Sequence, residues 1–205
     1  MIPSAQRAAL EKIKEEAGQG WIFFQQWLRD PLGTASVVPS GQRLGRAMAR
    51  AVPTQARTIV ELGAGTGAIT RALLSHGFDP KQLLVLELNE ALHAGLCHRF
   101  PEAHVRCADA RKLPEIVGST PGFAVGGVGA VVSSLGLLSM PRNIVAEIVD
   151  AAFQVLATDG CFVQFTYGPK APVPKEVMTQ LGLRARRVDF TLLNVPPASV
   201  YVIER

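Results

Sequence analysis

Between Thr58 and Thr70 the chain reads Thr-Ile-Val-Glu-Leu-Gly-Ala-Gly-Thr-Gly-Ala-Ile-Thr, with one carboxylate and three glycines at fixed spacing. Thr58 to Leu62 reads as a short buried strand, Gly63, Gly65 and Gly67 as a loop, and Ala68 toward His76 as a helix. A chain turning abruptly from strand to helix needs residues tolerant of positive φ, and a loop on which a ligand lies flat cannot carry a Cβ toward it. Backbone N–H groups are left to face a small molecule. The G-x-G-x-G spacing, with Glu61 two residues ahead, departs from the G-x-G-x-x-G that seats a dinucleotide pyrophosphate on a helix N-terminus. A carboxylate there suits a cationic ligand better than a diphosphate. A tight strand-to-helix turn with no ligand would carry the same glycines.

Two more carboxylates stand where a second and third strand should end. Leu83 to Glu87 reads as a strand ending on Glu87, twenty residues after Gly67, and Leu88 follows it. A carboxylate there can accept hydrogen bonds from both hydroxyls of a ribose. Ala103 to Cys107 reads as the third strand, and Ala108-Asp109-Ala110 sets Asp109 and Ala110 where an adenine amino group can be read. Ligands of open α/β sheets lie across the C-terminal ends of the strands. The expected cofactor site is therefore Glu61, Gly63, Gly65, Gly67, Glu87, Leu88, Asp109 and Ala110, with Ser40 joining from the preceding helix. The ligand this set fits is S-adenosylmethionine, whose amino and sulfonium groups are positive. Asp109 could instead cap the turn before Leu113-Pro114.

The substrate side is read from the next two strands. Gly129 to Ser134 leads into the apolar loop Ser133-Ser134-Leu135-Gly136-Leu137-Leu138. Adenine-methylating enzymes carry an Asn or Asp there, followed by Pro and an aromatic, to hold the amino group and stack the base. This chain has neither. The apolar loop points to a small or greasy substrate, with Ser133 or Ser134 supplying a hydroxyl. Cys161 to Phe165 reads as a fifth strand, left by Phe165-Thr166-Tyr167-Gly168-Pro169. A Tyr beside a methyl donor can hydrogen-bond an amine, or stabilise a positive nitrogen through its ring face by about 1 to 2 kcal/mol when dry. It can equally close a lid over the core. Tyr167 and Ser133 are the expected catalytic residues. His76, His93, His98 and His104 fall on helices or their flanks without a ligand pattern. Cys97, Cys107 and Cys161 lack the paired spacing of a zinc or disulfide frame, so no metal is expected and the thiols are assigned to the core.

The elements that must position these groups alternate. Ser40 is a candidate N-cap for a helix over Gly41–Ala51 that Pro53 stops. Helices over Asn89–Arg99 and Asn143–Leu156 separate the strands, which implies a parallel sheet covered on both faces. Leu183–Asp189 and Ser199–Ile203 are apolar strands with no helix between them, so they should pair antiparallel, with Asn194-Val195-Pro196-Pro197 as their turn. The expected fold is α/β: a doubly wound, mostly parallel, seven-stranded, Rossmann-like sheet with an antiparallel C-terminal hairpin and an N-terminal helical extension. At 205 residues one such domain fits. Residues 1–52 are expected to form the N-terminal helices, a membrane or substrate lid, and residues 53–205 the cofactor-binding domain.

Hydrophobic residues make up 48% of the chain and mean hydropathy is +0.21, yet no apolar run approaches the ~20 residues that span a bilayer. No secretory signal pattern is visible, and a cytoplasmic location is expected. Leu10, Ile13, Ala17, Trp21, Phe24 and Leu28 repeat at helical spacing, broken by Gly18 and Gly20. The second piece concentrates Trp21, Phe23, Phe24 and Trp27 and ends on Arg29, a composition for a bilayer interface or for a helix docked on the core. Net charge is +4, with the basic excess at the two ends of the chain. If those ends meet, they form a surface for an anionic lipid or nucleic acid.

The flanking motifs carry a resemblance. Phe23-Phe24 through Trp27-Leu28-Arg29 with Pro31, then Val38-Pro39-Ser40, the loop from Glu61 to Gly67, Phe165 through Pro169, and Asn194 through Tyr201 resemble the small bacterial phospholipid N-methyltransferases. These are class I S-adenosylmethionine-dependent enzymes that convert phosphatidylethanolamine to phosphatidylcholine. The resemblance spans nearly the whole chain. It implies phosphatidylethanolamine and its methylated derivatives as substrates, S-adenosylmethionine as cofactor, and a monomer peripheral on the inner face of the cytoplasmic membrane. An anionic membrane surface would be met by Trp21, Phe24, Trp27 and Arg29. That family is also similar to rRNA adenine dimethyltransferases, which makes nucleic-acid methylation the alternative, although no nucleic-acid partner is favoured. A non-catalytic lipid or metabolite binder is a third reading. Two differences from the family stand out: Gly136 takes the place of an expected proline, and the first helix is near neutral where a basic one is expected.

Overall fold

Strands that are apolar at nearly every position need cover on both faces, and the alternation along each strand sorts its residues between two cores. The computed structural model describes residues 39–167, 171–191 and 197–205, with side chains from residue 41 onward. Among the described residues seven strands form one sheet: β1 (Ile59–Leu62), β2 (Leu83–Glu87), β3 (His104–Cys107), β4 (Val128–Ser133), β5 (Leu156–Thr166), β6 (Arg184–Thr191) and β7 (Ala198–Glu204). Six helices accompany them: α1 (Pro39–Ala51), α2 (Ala68–Ser75), α3 (Glu90–Arg99), α4 (Leu113–Ser119), α5 (Arg142–Val155) and α6 (Lys175–Gln180).

The strand order is β3-β2-β1-β4-β5-β7-β6. β1 to β5 are parallel, and β7 enters between β5 and β6 antiparallel to both. Chain order reverses between β1 and β4, which opens a crevice at their C-terminal ends. Val60, Leu62, Leu86, Val131 and Phe162 pack with Leu113, Val149 and Val177 from α4, α5 and α6. Ile59, Val85, Val132 and Val163 pack with Met48, Leu73 and Leu96 from α1, α2 and α3. This is the expected doubly wound sheet with its antiparallel hairpin.

Several local expectations change. α1 begins at Pro39, so Ser40 lies in its first turn rather than at the cap. Proline is tolerated in a first turn because that N–H has no intrahelical partner. The same logic produces α4, whose Pro114 stands in the first turn of a helix where the sequence suggested only a turn. α4 and α6 have seven and six residues, too few to display a helical period. β5 reaches back to Leu156 through exposed Thr158 and Asp159, which break the apolar pattern, and its register with β4 shifts between Val128 and Ala130. His104 opens β3 rather than flanking a helix. Only Cys161 is a core thiol; Cys97 lies on the outer side of α3 and Cys107 on the edge strand β3, and both are exposed. At the sheet edge β3 has a neighbour on one side only, and Arg106 and Cys107 are both exposed.

The basic ends do meet in part. α1 lies against β5, β6 and β7, and Arg50 at its end pairs with Asp189 on β6 at 3.2 Å. The N-terminal helices expected over residues 4–29, including Trp21, Phe24, Trp27 and Arg29, lie outside the described residues, as do Gly168, Pro169 and Asn194 to Pro196.

Close approach decides one glycine. A Cβ on Gly129, in β4, would lie 2.8 Å from both the Cα and the Cβ of Ala56 in the segment leading to β1. Backbone cannot yield as a side-chain tip can. Gly129→Ala is expected to lower stability by about 1 to 3 kcal/mol, read as a lower denaturant midpoint at unchanged slope.

Candidate active site

The β1–α2 loop is held by backbone bonds before any side chain is considered. The N–H groups of Gly63 and Ala64 donate to the carbonyl of Leu86 at 2.9 and 3.2 Å, tying the loop to the end of β2. Gly63, Gly65 and Gly67 have φ of 72°, 56° and 77°, a region where other residues are strained. Space matters as much as conformation: a Cβ on Gly63 would meet Leu135 Cδ2 at 2.6 Å, and one on Gly67 would meet Phe100 Cε2 at 2.5 Å. At these two positions protein side chains, from the β4 loop and the end of α3, occupy the room a Cβ would need.

Glu61 is 1% exposed inside β1. Thr70 Oγ1, from the first turn of α2, donates to its Oε2 at 2.6 Å, while its buried Oε1 has no partner. Burial pushes this carboxyl up to about 7, against the pull of the Thr70 hydroxyl and N–H, and the nearby charge of Glu87 adds to the rise. A half-satisfied buried carboxyl aligned with a glycine loop is suited to a cation. Thr70 was not singled out from sequence, although a Thr three residues past the last glycine is the signal that finds it.

Glu87 closes the loop from the other side. Its Oε2 accepts from the Gly65 N–H at 2.8 Å and its Oε1 from the Asn89 N–H at 2.9 Å. Leu88 beside it is 67% exposed, an apolar surface at a strand end where an adenine ring can lie. Asp109 does cap a turn: its Oδ1 accepts from the Arg111 N–H at 2.9 Å, opening the single turn from Ala110 to Lys112. The Arg111 guanidinium reaches the same carboxylate at 2.6 Å and Glu147 of α5 at 3.4 Å. Hydrogen bonds from Arg111 hold the Asp109 carboxyl below the usual carboxylate range, despite partial burial. Ala110 begins that turn and packs against the core. The side chain of Ser40 lies outside those described.

On the substrate side, Ser133 is fully buried at the end of β4, and its Oγ accepts the Leu135 N–H at 3.2 Å. The loop then tightens into a single turn over Leu137–Ser139. Gly136 sits at φ −75°, a value that proline also holds, so the wall keeps the conformation a proline would impose. Tyr167 leaves β5 half-buried, edge-to-face on Phe165 with ring centroids 5.2 Å apart. Phe165 and Tyr167 pack against the α1 side of the sheet, whereas Ser133 belongs to the row on the opposite face. They share the C-terminal end of the sheet but not a face. Gln164, register partner of Ser133, was missed from sequence. Its signal was a lone amide inside the apolar run Cys161-Phe-Val-Gln-Phe.

The residues present fit S-adenosylmethionine: a cation-seeking Glu61, a glycine loop, a carboxylate at the second strand end and an apolar platform after it. The fold and site are those of a class I S-adenosylmethionine-dependent methyltransferase. No family model matches the chain. Solved structures with similar folds include Burkholderia thailandensis 1,6-didemethyltoxoflavin-N1-methyltransferase with bound S-adenosylhomocysteine. It is 13% identical, with TM-score 0.60 over 100% of this chain and 91% of that one. A TehB-like S-adenosylmethionine-dependent methyltransferase from Corynebacterium glutamicum is 17% identical, with TM-score 0.57 over 92% and 98%. The chain is 31% identical over 185 residues to the ornithine lipid N-methyltransferase of Singulisphaera acidiphila, covering 88% of this chain and 93% of that one. The chain belongs to the family of S-adenosylmethionine-dependent lipid N-methyltransferases that this relative represents.

Glu61 makes the site sensitive to pH. Below pH 4.5 folded and unfolded chains both hold its proton; between 4.5 and about 7 only the folded chain keeps it, so stability falls as pH rises through that window. The expected fall is about 3 kcal/mol relative to Glu61→Gln, whose denaturation midpoints lack it. A cationic group settled against this carboxyl draws the proton off. Binding of S-adenosylmethionine near pH 6 is then expected to release a proton from the unsubstituted protein and none from E61Q, measured by calorimetry in buffers of different ionisation heat.

Proposed function

We propose that the protein transfers methyl groups to the headgroup amine of phosphatidylethanolamine and of its mono- and dimethyl derivatives, giving phosphatidylcholine at a membrane surface. The 31% identity to a lipid N-methyltransferase carries this reading as far as a lipid amine. The motifs around Phe23, Trp27, Val38 and Tyr167 extend it to phosphatidylethanolamine. The relative's own activity supports a second reading, in which the amine belongs to an ornithine lipid.

The chemistry asks three things of this chain. When bound, S-adenosylmethionine supplies an electrophilic methyl group to a nitrogen lone pair. An alkylammonium, which titrates near pH ~10, has no lone pair to offer, so the site must favour the neutral amine. Leu135, Leu137, Leu138 and Met140 give the loop after β4 an apolar wall, and desolvation disfavours the charged form. Tyr167 offers a ring face and a hydroxyl at the same end of the sheet. Positioning and desolvation, rather than a strong base, then supply most of the acceleration. A quaternary product has neither an N–H nor a lone pair, so it can neither hydrogen-bond through its nitrogen nor react again.

The reading also sets the enzyme on the inner face of the cytoplasmic membrane, held through Trp21, Phe24, Trp27 and Arg29. No helix among the described residues is long and apolar enough to cross a membrane.

Incubation with methyl-labelled S-adenosylmethionine and vesicles of phosphatidylglycerol, carrying either phosphatidylethanolamine or an ornithine lipid, with ribosomal RNA in a parallel tube, tests the substrate. Label is expected in mono-, di- and trimethylated phosphatidylethanolamine. Label confined to ornithine lipid favours the second reading, and label in RNA alone overturns both. For the membrane contact, Trp27→Ala with Arg29→Ala is expected to cut co-sedimentation with the same vesicles by about ten-fold. Undiminished sedimentation places the contact elsewhere.

A further inference from the structure

Among the described residues two buried side-chain atoms lack a hydrogen-bond partner, Glu61 Oε1 and Gln164 Oε1. The first is suited to a cofactor that carries positive charge. The second has no such account. Gln164 is 1% exposed near the C-terminal end of β5, in register with Ser133 of β4 and Tyr201 of β7, so the three stand in a row on one face of the sheet. Its Nε2 donates to the carbonyls of Leu135 and Phe165, both at 3.0 Å. A carbonyl only accepts, so these two contacts fix which end of the amide is nitrogen and leave Oε1 as the open acceptor.

The location ties that acceptor to the substrate loop. Leu135 is gripped at both backbone groups, its N–H by Ser133 and its carbonyl by Gln164. Leaving a buried acceptor unpaired is destabilising, and a Leu or Met of similar size would avoid it. The arrangement makes sense if a donor arrives during function. We propose that Gln164 Oε1 accepts an N–H of the substrate amine while Nε2 holds the loop that walls the same site, an inference that rests on the lipid-amine reading above. A neutral amide is the suitable acceptor: it orients the nitrogen while stabilising the ammonium less than a carboxylate in its place would.

The consequence is a dependence on how many methyl groups the amine already carries. A neutral primary amine has two N–H groups, a secondary amine one and a tertiary amine none, so Gln164 can assist the first two transfers but not the third. Gln164→Met keeps the bulk and removes both functions. Its kcat/KM should be measured on short-chain phosphatidylethanolamine and its mono- and dimethyl forms, with the corresponding ornithine lipid series alongside. We expect a loss of about ten-fold or more on primary and secondary amines beyond whatever loss the tertiary amine shows. An equal loss on all three means Gln164 acts only through the loop and overturns the proposal. Binding gives a readout without turnover. With S-adenosylhomocysteine present, the unsubstituted protein should prefer short-chain lipid bearing an N–H over its trimethylated form, and Q164M should lose that preference. No preference in the unsubstituted protein overturns the proposal even if Q164M does not fold. No turnover by the unsubstituted protein on either series overturns the lipid-amine reading itself, and this proposal with it.

Discussion

The turn from β1 into α2 is the constraint on which the site depends. Three glycines at positive φ let the chain reverse within five residues, and the reversal brings Thr70 of α2 back onto Glu61 of β1 at 2.6 Å. The loop is not free to choose its path, because Gly63, Ala64 and Gly65 all donate to the last residues of β2. Glu87 is thereby shared between the loop and the start of α3, through the N–H groups of Gly65 and Asn89. One short stretch thus sets the place of a buried carboxyl, a strand-end carboxylate and the first turns of two helices. Strain at the glycines is avoided by their lack of a Cβ, and the room so gained goes to Leu135 and Phe100.

Leu135 carries that constraint across the crevice. Its side chain packs over Gly63 while its backbone is held by Ser133 and Gln164, so the glycine loop and the loop after β4 meet at one residue. A shift in either loop must be felt by the other, since close-packed neighbours transmit small displacements rather than absorb them. The order β1-β4-β5 makes this contact possible: the reversal of the sheet places the ends of β1 and β4 side by side. The antiparallel β7 then closes the far side, with Tyr201 beside Gln164.

Much of this was legible in the sequence because short-range rules govern it. The glycine spacing, the apolar strands ending on Glu87 and before Asp109, and the helix-free interval before β7 each follow from local conformation or periodicity. The fold followed from their order. What escaped was set by tertiary neighbours. Nothing local distinguishes Asp109 as an adenine reader from Asp109 as the partner of Arg111, and the structure shows the Arg111 contacts at bonding distance. Ser133 reads as an available hydroxyl, yet its burial and its bond to the Leu135 N–H give it work inside the loop. Gln164 was hidden by the strength of the pattern around it, since one amide in an apolar strand is easily passed over when neither of its neighbours is known. Cys97 and Cys107 were misjudged because burial of a thiol depends on which side of an element is covered, and their own elements leave them outward.

The two ends of the crevice differ in charge for a chemical reason. At the ends of β1, β2 and β3 the polar groups are carboxyls, Glu61, Glu87 and Asp109, the last of them paired with Arg111. Close to the β4 and β5 ends the groups are Ser133, Gln164 and Tyr167, none of them a carboxylate, beside the apolar loop that follows β4. A carboxylate on that side would stabilise the ammonium form of an amine and so hold back its lone pair. Neutral acceptors stabilise the ammonium less, and desolvation works against it. A lipid amine is charged in water near neutral pH, and a lipid N-methyltransferase must bring it to the methyl donor uncharged. On the proposed reading, the separation of charged and neutral side chains between the strand ends suits one crevice to a cationic donor and to a nucleophile that must not be cationic.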